Sequence, residues 1–298
     1  MTDLTRSTAT IDIDPGLLES AAAKERELAD LLRALDSMVV SFSGGVDSSY
    51  LLKVAFDTCG TTVVAATGLS QTYAVEELDE AQVVARDIGV EYVIIETAEL
   101  TDPRYADNTH QRCFFCKTEL YGKVIEFAKS RGIDHVLDGS NADDLDDFRP
   151  GMRAARDLGV RSPLQEVGLT KAEIRLLSQR LGLQTWDKPA VACLSSRFEY
   201  GDPITVDKLR KVAQAESALR RLGLRGFRVR HHDTIARLEV PRDQFPFAVD
   251  RCDEIVEAVR SAGYRHAVLD LAGYRTGSMN EVLNARLQSS GLRRASAL

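Results

Sequence analysis

Two sets of residues in this 298-residue chain have types and spacings that can do chemistry. The first is Ser41-Phe42-Ser43-Gly44-Gly45-Val46-Asp47-Ser48-Ser49, directly behind the apolar run Met38-Val39-Val40. Its two glycines let the backbone approach a ligand. A helix beginning at Asp47 and Ser48 offers unpaired N–H groups and the positive end of its dipole, which together cradle a phosphate group. The spacing is not that of GxxxxGK[ST], and the third glycine of GxGxxG is missing. The second set is sulfur: Cys113-Phe114-Phe115-Cys116, and Cys193 within Lys188-Pro189-Ala190-Val191-Ala192-Cys193-Leu194-Ser195-Ser196-Arg197. In a reducing compartment a CxxC stands for metal, cluster or redox chemistry more often than for a structural bridge. Arg112 and Lys117 beside Cys116 are expected to favour its thiolate. Lys117, Ser196 and Arg197 each neighbour a reactive cysteine and can supply a proton, a hydroxyl or positive charge. Cys59 and Cys252 lack such neighbours and read as buried small hydrophobes.

The elements that must position these groups follow from hydrophobic pattern. Met38 to Phe42 reads as a buried parallel strand, and the helix from Ser48 has an apolar face. Around them come helix Leu17 to Leu35, strand Thr62 to Thr67, helix Ala74 to Ile88 and strand Tyr92 to Ile95. Helix Thr118 to Ser130 follows the CxxC, and strand His135 to Leu137 runs into Asp138-Gly139-Ser140-Asn141-Ala142-Asp143-Asp144. This alternation predicts an α/β fold with a doubly wound, mostly parallel sheet. Ligands in such sheets sit outside the carboxyl ends of the strands, so Gly68-Leu69-Ser70 and the Asp138–Asp144 turn should face the same ligand as Gly44 and Gly45. Asp143 and Asp144 would complete a Mg²⁺ site there. After Gly201 the pattern changes to helix Thr205 to Leu222, a hairpin of Gly226 to His231 and Ile235 to Val240, helix Asp250 to Ala262 and strand Ala267 to Leu271. The expected domains are 16–200 and a smaller α+β domain 201–288, between disordered ends at 1–15 and 289–298.

Composition narrows the partners. The formal net charge of −7 disfavours nonspecific nucleic-acid binding and points to a small substrate. No apolar run approaches the ~18 residues of a membrane span, and residues 1–15 read as neither signal peptide nor anchor, so a cytoplasmic location with reduced thiols is expected.

The segment SGGxDS resembles the pyrophosphate loop of the PP-loop ATP pyrophosphatases, which release pyrophosphate and place AMP on their substrate. Asp47 fits that reading as a holder of Mg²⁺. Four stretches are similar to the narrower LarE family of ATP-dependent sulfur transferases: Ser-Gly-Gly-Val-Asp-Ser at 43–48, Arg-Cys-Phe-Phe-Cys-Lys at 112–117, Asp-Gly-Ser-Asn-Ala-Asp-Asp at 138–144, and Thr-Trp-Asp-Lys-Pro-Ala-Val-Ala-Cys-Leu-Ser-Ser-Arg at 185–197. The similarity continues into Phe227 to Glu239. It implies that ATP and Mg²⁺ are used to convert pyridinium-3,5-biscarboxylic acid mononucleotide to its bis-thiocarboxylate, a step towards the nickel-pincer nucleotide cofactor of lactate racemase. Ser43, Gly44, Gly45, Asp47, Ser48, Gly68 and Asp143 would then serve the nucleotide. Asp144, Glu216 and Glu239 are further Mg²⁺ candidates, Arg237 a weaker site residue, and a homo-oligomer is implied. Arg228 and Arg230 alternate on one strand, so both guanidinium groups leave the same face, a geometry suited to gripping the substrate phosphate.

The family has two sulfur sources. In some members one cysteine gives up its own sulfur, and the CxxC positions are not both cysteine. Here Cys113, Cys116 and Cys193 are all present, enough to hold a 4Fe-4S cluster with one iron left open. Self-sacrifice of Cys193 and a zinc ion on the cysteines with His110 are the alternatives. A tRNA thiolase of the same superfamily is the other enzyme class, kept in view by the basic Arg220 to Arg230 segment.

Overall fold

The computed structural model describes residues 15–72, 75–146, 150–189 and 192–275. The expected disordered ends, apart from Pro15, lie outside the described residues, as does the end of the second expected domain. In chain order the elements are α1 (Pro15–Leu35), β1 (Met38–Ser41), α2 (Val46–Cys59), β2 (Val63–Leu69), α3 (Val75–Ile88), β3 (Glu91–Glu96), α4 (Pro103–Ala106), α5 (Arg112–Ser130), β4 (His135–Leu137), α6 (Pro150–Asp157), α7 (Pro163–Glu166) and α8 (Lys171–Arg180). Then come α9 (Val206–Leu222), β5 (Arg228–His232), β6 (Ile235–Glu239), α10 (Phe245–Asp250), α11 (Cys252–Ser261) and β7 (His266–Leu269). No described helix is long and apolar enough to cross a membrane.

Two compact units contain these elements. One takes the chain up to Gly68, Asp79–Ile95 and Tyr121–Lys188; the other takes Leu69–Leu78, Glu96–Leu120 and the chain from Pro189 onward. Neither is a single stretch of sequence, and 189–200, with Cys193, groups with the second unit.

The first unit is built on the sheet β3–β2–β1–β4, in which β1 runs parallel to both β2 and β4. The continuous apolar run of β1 fits this central place, since Met38, Val39 and Val40 are fully buried. Helices α1, α2 and α8 pack together around Leu28, Leu32, Leu51, Ile174 and Leu177. Burying a side chain of this size contributes roughly 1.5–3 kcal/mol. The result is the α/β, PP-loop-type architecture expected from the sequence.

The second unit holds the smaller sheet β5–β6–β7, with β5 and β6 antiparallel and β7 parallel to β6. Helices α9 and α11 pack together, and their core is Leu219, Val229, Ala236, Leu238, Ile255 and Val259. Thr205 caps α9 by accepting the Lys208 N–H, and Gly223, with φ of 109°, ends it. The helix expected over Asp250 to Ala262 is α11, and the short α10, which was not expected, precedes it; Arg251, with φ and ψ of −109° and 27°, separates the two. A further cluster joins Tyr105, Leu194, Phe198, Ile204, Leu209 and Val212, with Phe115 and Cys116 against it.

Candidate functional site

In the first unit the chain leaves β1 and turns at once into α2. Thr67 Oγ1 donates to Phe42 O at 2.7 Å, tying the start of the turn to β2. Gly44 has a φ of 68°, and a Cβ there would lie 2.9 Å from Ala81 Cβ. Both the backbone sign and the space demand glycine. The turn is locked by two hydroxyls: Ser43 Oγ and Ser48 Oγ lie 3.0 Å apart, and the Ser43 N–H donates to Ser48 Oγ at 3.3 Å. From the other side Gly139 presses on the start of α2, since a Cβ there would lie 2.9 Å from Ser48 N. The N-terminal N–H groups of a 14-residue helix are thereby held at a glycine turn, the arrangement that receives phosphate oxygens.

Three acids expected here have distinct settings. Asp47 accepts from Lys171 Nζ through Oδ2, while its buried Oδ1 has no partner among the described residues. Asp143 is exposed and accepts the Lys171 N–H at 2.9 Å. Asp144 is buried and accepts the Asn141 N–H at 3.0 Å, which closes its own turn. Lys188, from the Trp-Asp-Lys-Pro segment, donates to Gly44 O at 3.1 Å and pairs with Glu80 at 2.8 Å. Arg175 fixes that segment by donating to Trp186 O and Lys188 O at 2.9 and 3.0 Å. Gly68 lies near the carboxyl end of β2, as expected.

In the second unit the CxxC lies inside the first turns of α5 rather than ahead of the helix. Packing of Phe115 and Cys116 on Tyr105 and Leu194 outweighs the modest helix propensity of the aromatic pair. The expectation of a favoured Cys116 thiolate is overturned. Burial pushes this thiol up to about 12, with Lys117 opposing and Glu99, Cys193 and Cys113 adding to the rise. Cys113 is open to solvent on one side yet crowded enough that desolvation raises it too, followed by the nearby Cys193, against the pull of Arg112. The three thiols are thus electrostatic neighbours. Arg112 is buried, donates to Asn108 and lies 5.0 Å from the Tyr200 ring centroid. Burial alone would lower its guanidinium, and Cys193 and Cys113 more than offset this.

Cys193 is exposed at the head of a turn, Leu194–Arg197. Arg197 holds that turn from beneath. Its Nη1 donates to Ala192 O at 2.6 Å and Cys193 O at 3.1 Å, and Nε and Nη2 fork onto Glu216 at 2.8 and 2.9 Å. Tyr105 and Ser195 hydroxyls, 2.5 Å apart, fix the next residue. Arg197 therefore positions the cysteine through its backbone. Ser196 accepts through its carbonyl from Arg230 at 2.6 Å.

Arg230 is buried and pairs with Glu239 at 2.7 Å, and Arg237 lies 3.4 Å from the other oxygen of Glu239. Arg228 lies over the Tyr274 ring, 5.1 Å from its centroid. Its guanidinium is lowered first by burial and then by Arg197 and Arg230, so this is a crowded cationic corner. Glu216 accepts from Arg197 twice, from Arg220 and from the Val229 N–H, which uses all four lone-pair directions of a carboxylate. It does not fit a Mg²⁺ ligand, and Glu239 is likewise engaged by arginines. Among the described residues no three His, Cys, Asp or Glu side chains are gathered so as to hold a metal ion.

Sequence reasoning missed Lys171, Tyr105 and Glu99, and gave Lys188 and Gly139 no role of their own within the motifs that contain them. Glu99 is buried and accepts from Ser70 and Thr72 at 2.6 and 2.8 Å. The available signal for Lys171 was Thr170-x-x-Glu173, a capping-box pattern directly behind the acidic turn. Cys252, expected to be buried, is exposed, while Cys59, likewise expected to be buried, is half-buried against the core.

No family model matches the chain. Individual relatives do. An uncharacterised protein of Synechocystis sp. is 44% identical over 90% of this chain and 99% of its own length. The pyridinium-3,5-bisthiocarboxylic acid mononucleotide synthase of Lactiplantibacillus plantarum is 36% identical over 89% of this chain and 97% of its own. Argininosuccinate synthase of Methanothermobacter thermautotrophicus is 25% identical over 47% of this chain and 38% of its own. With a locked glycine loop, three neighbouring thiols and this span of similarity, the chain belongs to the LarE family of ATP-dependent sulfur transferases.

Proposed function

We propose that this chain adenylylates the carboxylates of pyridinium-3,5-biscarboxylic acid mononucleotide and converts them to thiocarboxylates, towards the nickel-pincer nucleotide cofactor of lactate racemase. The observation that carries the reading is the glycine loop: a left-handed Gly44, interlocked Ser43 and Ser48, and Asp47 at the helix start with one buried oxygen open. A carboxylate is a poor electrophile. Transfer of AMP to it releases pyrophosphate and creates a leaving group, so that sulfur can attack the carbonyl at neutral pH. Ser43, Gly44, Gly45 and Ser48 would receive the phosphates, with Gly68 at the neighbouring strand end. Asp47, through its open oxygen, and Asp143 fit Mg²⁺, which would neutralise the departing pyrophosphate. Asp144 supports the acidic turn, and Arg228 would meet the substrate's phosphate; Arg230, expected to share that grip, is buried and bonded to Glu239 and Ser196 O, and would brace that corner instead.

Cys113, Cys116 and Cys193 would hold a 4Fe-4S cluster: what supports the reading is that all three positions are cysteine and that Cys113 and Cys193 are exposed, with Cys116 one helical turn from Cys113 on α5. Such a cluster, with one iron not bound by protein, can carry an additional sulfide. Arg197 sets the Cys193 backbone, Arg112 supplies fixed positive charge to the thiolates, and Lys117 adds to it. A homo-oligomer in a reducing, cytoplasmic setting completes the reading.

Formation of AMP should depend on the pyridinium dicarboxylate and vanish in Asp47→Ala. AMP formed equally without that substrate would overturn the reading. An oxygen-free preparation should be brown and contain iron and sulfide. A colourless, iron-free sample that turns over once, with sulfur lost from Cys193, would assign the sulfur to the protein itself.

A further inference from the structure

Lys171 is the first residue of α8, and its main chain is pinned from several sides. The Thr170 hydroxyl accepts the Glu173 N–H at 3.3 Å while Glu173 Oε2 accepts the Thr170 N–H at 2.9 Å. Glu173 is in turn held by Lys24 and Ser20 at 2.8 and 2.9 Å. The Lys171 N–H itself donates to Asp143. Only the side chain is left to move. It is about one-third exposed, and Nζ has no partner among the described residues besides Asp47. Lys188 differs, being shared between Gly44 O and Glu80.

The ammonium of Lys171 thus sits on the carboxylate that a divalent cation would use, beside a buried Asp47 oxygen with no partner. A divalent ion carries twice the charge and coordinates oxygen directly, so it displaces an ammonium from a carboxylate when phosphate oxygens share it. Displaced, a four-carbon stem with a fixed root keeps its charge close to those oxygens.

We propose that Lys171 is an exchangeable counter-charge of the loop: it neutralises Asp47 while the loop is empty and turns to the pyrophosphate when the cation takes Asp47. This rests on the reading of the loop as a nucleotide site. The site would otherwise leave Asp47 uncompensated before binding and a pyrophosphate undercompensated after it.

The probe is inorganic pyrophosphate with Mg²⁺, titrated by calorimetry into the full chain and its Lys171→Met and Lys171→Arg variants, with Mg²⁺ alone followed by thermal melting. Lys171→Met should bind pyrophosphate about tenfold or more weakly, the loss of one charge-assisted hydrogen bond, and Lys171→Arg should retain most of the affinity. With its competitor gone, Lys171→Met should also be stabilised by less Mg²⁺ than the parent. Unchanged pyrophosphate affinity in Lys171→Met, or Mg²⁺ binding no tighter than in the parent, would overturn the role of Lys171 alone. A parent chain that binds no pyrophosphate would overturn the nucleotide reading itself. Should Lys171→Met fail to fold, Lys171→Gln carries the same test.

Discussion

Between Ser43 and Ser48 the working groups are main-chain N–H groups, held by a left-handed glycine and two interlocked hydroxyls. Around Cys193 they are side-chain sulfurs, held by a buried guanidinium that reaches backbone carbonyls on one side and Glu216 on the other. The first arrangement is local and steric. Its hydroxyl lock lies within a few residues of sequence, and Ala81 and Gly139 crowd it so that a Cβ at its centre is strained. The second is non-local and electrostatic, joining a turn to a helix through a pair 19 residues apart. On the proposed reading, a loop that receives nucleotide phosphate gains from rigid backbone, whereas sulfurs that react gain from exposure, with rigidity supplied from below.

Breaking the electrostatic region should have the largest effect. Arg197→Ala leaves the Glu216 carboxylate buried without its fork, and loss of about 3–5 kcal/mol is expected by urea unfolding. Alkylation of Cys193 should quicken as its turn loosens, while pyrophosphate binding by the loop persists in whatever fraction stays folded. Equal loss of both functions in the folded fraction would mean the regions are not separable.

The converse variant, Gly44→Ala, must bear a left-handed alanine and a 2.9 Å contact with Ala81, at about 1–3 kcal/mol. Pyrophosphate binding should fall sharply and Cys193 alkylation stay unchanged. Gly139→Ala, pressing on Ser48 N, should give a milder version of the same pattern.

The smallest effect concerns pH. His231 is buried with Nδ1 at 3.0 Å from the Tyr264 hydroxyl, and burial lowers its imidazole below the usual value of about 6.5. The unfolded chain therefore takes up this proton at higher pH than the folded one. Its stabilising share is complete above the unfolded value and is lost as pH falls towards the folded one. Melting temperature measured from pH 7.5 down to 5.5, a window of about one unit on either side of that value, should drop more steeply in the parent than in His231→Gln. Parallel curves would contradict this.

Much of the first region was legible in the sequence because its determinants are adjacent. The apolar run of β1, the glycine pair and the acid at the helix start all fall within Met38 to Ser48. The partner of Asp47 was not legible, because Lys171 lies 124 residues away and reaches the loop only once α8 has folded against α2. In the second region cysteine spacing singled out Cys113, Cys116 and Cys193 as the sulfurs to consider, yet sequence neighbours misjudged Cys116: adjacent Lys117 suggested a favoured thiolate, and burial against Tyr105 and Leu194 outweighs it. Glu216 and Glu239 likewise looked available as acids until the fold placed arginines on them. Motifs pointed to the groups proposed to take part, while burial and distant partners decide their chemical state.

The central claim is that ATP is used to turn a carboxylate into an attackable acyl adenylate before sulfur arrives. Supplying pyridinium-3,5-biscarboxylic acid mononucleotide with ¹⁸O in its carboxylates, under oxygen-free conditions with ATP and Mg²⁺, tests this most directly. Adenylylation followed by sulfur attack breaks the acyl C–O bond, so mass spectrometry of the AMP should find one carboxylate oxygen for each thiocarboxylate formed. Unlabelled AMP alongside thiocarboxylate product would contradict the account.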